Sequence, residues 1–169
     1  LMKNRIEMQP FLKKSPFIFL IIVLLSTTLF SQNKNDKKID KLSTKTMKYI
    51  KNQEYDKAEK SIRQIFLIDS GYAKAYIYLG DLYSLKLQAE KSADAYNKAI
   101  SLYKKPKSML YFLAAEEEMK CGRYEAAKRN YELYLSGFSS TAPLLKEVNH
   151  QLINCEFSIE ASKNPMKFY

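Results

Sequence analysis

The chain has 169 residues, with only 4 Gly and 5 Pro against 13 Tyr and 9 Phe, which argues against a many-stranded β fold and for long, tightly joined helices. A single His and two widely spaced Cys leave neither the four ligands of a structural zinc nor a disulfide framework. The net charge is +10, but beyond the N-terminus Lys alternates with Asp and Glu, as in Asp56-Lys57 and Glu90-Lys91, which reads as a solvated helical surface and not as a nucleic-acid face.

Lys13-Lys14 precedes the apolar run Phe17 to Leu25, and Ser-Thr-Thr-Leu-Phe-Ser-Gln follows it. A basic flank, a short apolar stretch and small or polar residues afterwards are the pattern of a secretory signal peptide over 1–31, cleaved after Ser31 with Leu29 at the −3 position. The run falls short of the ~20 residues that span a bilayer; an uncleaved N-terminal anchor is the alternative. No Cys lies here, which excludes a lipoprotein anchor. Leu1 is no ordinary start, so Met2 or Met8 is the expected initiator. The expected compartment is the periplasm, with outer-membrane association. Residues 32–38 (QNKNDKK) lack apolar periodicity and read as a flexible leader.

Three stretches then share one skeleton: 52–69, 87–103 and 121–137. Small residues recur at Ala58, Ser92 and Ala127, larger ones at Ile62, Tyr96 and Tyr131, and the next turn brings Ile65, Ala99 and Tyr134. The spacing is 34 and then 35 residues, the extra one fitting the loop around Pro106. A partner helix precedes each. In the middle copy it is 73–86 (AKAYIYLGDLYSLK), where Gly80 lets a neighbouring helix approach closely. That segment, with Tyr76, Leu79-Gly80 and Tyr83, resembles the first helix of a tetratricopeptide repeat (TPR).

The resemblance implies an all-α TPR helix-turn-helix solenoid of about three repeats, 39–72, 73–107 and 108–141. A capping helix over 142–163 follows, and 164–169 form a tail or the start of a further domain. The flanking copies depart from the pattern. Copy one keeps Tyr49 but has Lys45-Thr46 for the Leu-Gly pair; copy three has Ala114-Ala115, and Glu118 where an aromatic is usual. In the cap, Leu145, Val148, Leu152 and Phe157 or Ile159 form the expected apolar stripe, ended by Asn164-Pro165. Cys121 and Cys155 occupy equivalent places on neighbouring units, too far apart for a comfortable disulfide, so two free thiols are expected.

In TPR proteins first-helix residues line the inner surface. Carried onto this chain they are Met47 and Ile50; Lys74, Ile77, Asp81 and Ser84; and Met109, Phe112, Glu116 and Met119. Lys146, His150 and Ile153 extend the row on the cap. The expected centre is apolar around Ile77, Phe112 and Met119, although some of these side chains could instead pack into the cap. The family's carboxylate clamp is missing, since its positions carry Ser43, Met47, Tyr78, Met109 and Leu113. No nucleophile stands near His150 in any pattern the sequence reveals, so neither catalysis nor a cofactor is expected.

The ending, Asn154 to Ala161 followed by Lys163-Asn164-Pro165 and Phe168, resembles a junction in exported Bacteroidetes proteins. There a short TPR block precedes a WD-like β-propeller and an OmpA-like peptidoglycan-binding domain, and some members belong to type IX secretion complexes. This implies a non-catalytic adaptor of the cell envelope with a protein partner, or else a spacer within a longer wall-anchored protein.

Overall fold

The computed structural model describes residues 16–137 and 144–164, with side chains described from residue 34 onward. Seven helices are described: α1 (Pro16–Lys51), α2 (Tyr55–Ile68), α3 (Ala73–Leu85), α4 (Ala89–Leu102), α5 (Ser108–Lys120), α6 (Tyr124–Ser136) and α7 (Leu145–Lys163). The chain divides into two compact units, Leu1–Asp40 and Lys41–Tyr169. The signal-peptide expectation falls on 1–15, which lie outside the described residues, and on 16–31, of which only the helical backbone is described. The leader expectation falls on 32–38, where the backbone is helical and continuous with α1 and the side chains of 34–38 are exposed. The stretch has neither Gly nor Pro to stop a helix, and the exposed side chains of 34–38 leave no apolar period to detect.

In the second unit each helix packs on the next, from α2 against α3 through to α6 against α7. The second helix of each pair turns a stripe of small and large side chains inward: Ala58, Ile62 and Ile65 on α2; Ser92, Tyr96 and Ala99 on α4; Ala127, Tyr131 and Tyr134 on α6. Steps of four and three residues keep each trio on one helical face. All nine are buried, and hiding each larger apolar one contributes about 1.5–3 kcal/mol.

The turns inside the pairs repeat bond for bond. Gln53, Leu87 and Gly122 take φ of 60°, 56° and 77°, so the left-handed residue recurs at the same 34- and 35-residue spacing. Their amides donate to the carbonyls of Ile50, Ser84 and Met119, and the next amides, of Glu54, Gln88 and Arg123, donate to Tyr49, Tyr83 and Glu118. The last carbonyls of each first helix are thereby satisfied while the chain reverses.

Close approach within the middle pair depends on Gly80. A Cβ there would meet the Tyr96 ring at 2.5–2.8 Å. Ser92 Oγ also donates to the Gly80 carbonyl at 2.9 Å. Copy one has Thr46 at this place, facing α2 where the large position is Ile62 and not Tyr. Thr46 Oγ1 donates to Ser61 Oγ at 2.8 Å and lies 2.9 Å from the Leu42 carbonyl of its own helix. The degenerate first repeat thus replaces the glycine–ring contact with a buried hydroxyl pair.

The cap α7 presents Leu145, Val148, Leu152 and Cys155 to α6 and α5, with Val148 and Cys155 fully buried. Of the two expected ends of the stripe, the structure takes Ile159, and it adds Cys155. Cys155 continues it, Ile159 is half-buried, and Phe157 stays 60% exposed. Steps of three and four from Val148 reach 152, 155 and 159, whereas 157 falls outside that face.

Substitution at Gly80 and Gly122 separates these two constraints. Gly80→Ala should cost about 1–3 kcal/mol through overpacking against a ring that cannot swing away. Gly122→Ala should cost about 1–2 kcal/mol through left-handed strain alone. Urea unfolding followed by circular dichroism measures both, and Leu87→Gly, at an exposed left-handed position, should not destabilise by more than a few tenths of a kcal/mol.

Candidate functional site

The predicted groove residues separate into three groups. Asp81 and Glu116 are half-buried and engaged: Tyr96 Oη donates to Asp81 Oδ1 at 2.7 Å, and Tyr131 Oη donates to Glu116 Oε1 at 2.6 Å. These are the same bond in successive repeats. Burial lifts the Asp81 carboxyl above the usual carboxylate range, partly offset by the Tyr96 hydroxyl. Burial, reinforced by the facing carboxylates, holds both tyrosine hydroxyls above the usual tyrosine range. Ser84 is likewise engaged, donating to Glu117 Oε1 at 2.8 Å.

Phe112 and Met119 belong to the core around α6 and α7 and not to an open groove. The Phe112 ring centroid is 5.5 Å from that of Tyr134 and 6.1 Å from that of Tyr131. Met119 Sδ lies 3.2 Å from Cys155 Sγ. Both cysteines are free, Cys121 half-buried and Cys155 fully buried, and burial pushes the Cys155 thiol up to about 11. Met47 is exposed and Ile50 half-buried on α1, while Lys146, His150 and Ile153 are exposed on α7.

Lys74, Ile77 and Met109 do come together. They line a cleft of about 440 Å³ between α3, α5 and the 103–107 connection. Leu110 and Leu113 complete its apolar floor, Tyr103 lines it too, and Lys105 and Lys107 join Lys74 as its charged groups. No lining side chain is acidic. Lys74 Nζ is 5.8 Å from the centre of the Tyr78 ring, which stabilises the cation without neutralising it. Sequence reasoning missed Tyr103, Lys105 and Lys107 because first-helix positions alone supplied its candidates. The available signal was the run Lys104-Lys105-Pro106-Lys107, placed where the repeat spacing lengthens by one.

Charges elsewhere bridge neighbouring repeats at the surface. Arg123 in the third repeat binds Glu90 at 2.9 Å and Asp94 in the second, and Lys128 binds Glu156 of the cap at 2.7 Å. Glu118, 2% exposed, accepts from Asn97 Nδ2 at 2.7 Å and Asn130 Nδ2 at 2.8 Å, which accounts for an acid at an aromatic position.

The Yersinia enterocolitica type III secretion chaperone SycD, in complex with a peptide of the translocator YopD, is similar over 72% of this chain and 94% of that one, at 15% identity and a TM-score of 0.61. The fold is TPR-like. The TPR2B domain of yeast Sti1, in complex with pHsp70, matches at 13% identity over 71% of this chain and 97% of that one, with a TM-score of 0.60. The Sgt2 TPR domain of Aspergillus fumigatus matches at 22% identity, TM-score 0.58, over 74% and 81%. At these identities the likeness carries the fold and no more. Neither a protein-family model nor a curated protein matches the sequence.

Two measurements check the assignments. Because the folded Tyr96 and Tyr131 hydroxyls ionise above the unfolded value of about 10, their contribution is complete below pH 10 and is lost as pH rises beyond it. The Tyr96→Phe, Tyr131→Phe double variant should therefore show a shallower loss of stability between pH 9.5 and 11 than the parent, read from urea midpoints. At pH 8, a thiol reagent should modify Cys121 in the native protein and reach Cys155 only on unfolding, as peptide mapping would show.

Proposed function

We propose that this chain is a non-catalytic protein-interaction scaffold that holds a partner segment in the cleft between α3 and α5. The observation that carries the reading is that cleft: a concave, mainly apolar surface with a few convergent polar groups, on a rigid stack of helices. The TPR-like fold supports it, since the similar SycD and Sti1 structures each hold a peptide or protein partner. The N-terminal pattern of Lys13-Lys14, Phe17 to Leu25 and Ser31 supports export, and we place the scaffold in the periplasm beside an outer-membrane, peptidoglycan-associated or secretion complex.

A second reading, a structural spacer without a groove ligand, is favoured by one observation. Phe112 and Met119, two of the three apolar side chains expected at the centre of the inner surface, are taken up by the core. Site-specific photo-crosslinking in envelope fractions separates the two. A photoreactive residue at Met109 should give a discrete adduct that is missing from the same residue at exposed Glu125 on α6. Matching adduct patterns at both positions would support the spacer instead.

A further inference from the structure

The cleft has a charge asymmetry that names a class of partner. Its floor of Ile77, Met109, Leu110 and Leu113 offers apolar surface, and every charged group that lines it is a lysine. Among the described residues, none of Lys74, Lys105 and Lys107 is in an ion pair, as with most of the chain's exposed lysines, but these three share one cleft. Three like charges around one apolar cleft repel one another, and an occupant that brings carboxylates removes that repulsion. The lysines are exposed, so the partner's acidic groups can meet them without being fully desolvated.

We infer that the cleft takes a segment of a partner protein in which one or two large apolar residues are flanked on both sides by Asp or Glu. The inference rests on the scaffold reading above. The cleft's volume suits one or two apolar side chains, not a folded domain. Lys105 and Lys107 sit on either side of Pro106, whose ring fixes φ and limits the freedom of the connection between α4 and α5. Lys74 stands on α3. A short acidic-apolar segment lying across the cleft would therefore meet positive charge from both elements, with its apolar residues against Ile77, Met109 and Leu113.

The test uses the full chain and a fluorescein-labelled dodecapeptide carrying Leu-Phe with three Asp on each side, read by fluorescence anisotropy. Saturable binding is expected that weakens by about tenfold between 20 and 300 mM NaCl and by about tenfold in the Lys105→Glu, Lys107→Glu variant. Replacing Leu-Phe by Ala-Ala, or Asp by Lys, should abolish it. Lys105 and Lys107 are both exposed, so the charge-reversed protein should lose binding with its thermal melt unchanged. Binding that is unaffected by the charge reversal overturns the proposal, as does peptide binding fully displaced by millimolar decanoate, which would assign the cleft to small amphiphiles. If the peptide fails to bind while the Met109 crosslink persists in the charge-reversed variant, the acidic-apolar assignment falls and the scaffold reading stands.

Discussion

The middle of the stack depends on one contact, the Tyr96 ring lying across Gly80. It sets how near α4 comes to α3 and fixes where the hydroxyl at the end of the ring must go, which is the Asp81 carboxylate one residue further along α3. A carboxylate taken out of water in this way is costly unless it keeps a donor, and Tyr96 supplies one. In the third pair the same register gives Ala115 for Gly80, Glu116 for Asp81 and Tyr131 for Tyr96, with the hydroxyl–carboxylate bond retained. Packing and polar satisfaction are therefore one device, and changing either partner disturbs both.

Because each pair is built on its own device, the joints between pairs use a different one. Asn97, Glu118 and Asn130 form a small buried network across α4, α5 and α6, with each amide directed at the same carboxylate. Such a network fixes register more than it adds stability, because a slipped helix would strand a buried acid. The exposed Arg123 bridge to Glu90 and Asp94 spans the same joint from outside, where solvent screening leaves it little energy of its own.

The repeat register was legible in the sequence because small and large residues recur together at a fixed spacing on the second helices. Ala58, Ser92 and Ala127 mark the spacing, and Gln53, Leu87 and Gly122 follow it in φ. The site was less legible. Asp81 and Glu116 stand at groove positions in register, yet tyrosines from the second helices reach round and bind them, and no one-dimensional pattern records the length of that reach. Phe112 and Met119 were ambiguous for a related reason: a first-helix residue faces the groove or the cap depending on how far α7 covers it. The 34–38 part of α1 leaves no apolar pattern because all five of its side chains are exposed, and burial begins only at Ile39.

The basic cleft shows how a small irregularity in a repeat can create chemistry. A strict 34-residue period would leave the connection between α4 and α5 one residue shorter, as it is between α2 and α3. There Asp69 accepts from the Gly71 amide at 2.9 Å in a compact acidic turn. The longer connection instead carries Lys105 and Lys107 around Pro106 to the lip of an apolar floor that the first helices already provide. The two connections thus have opposite charge in equivalent places. An apolar surface between repeats, with Lys74 as its charge on α3, thereby gains two more lysines at its lip. The first helices supply the apolar floor, and the longer connection supplies two of the three charges around it.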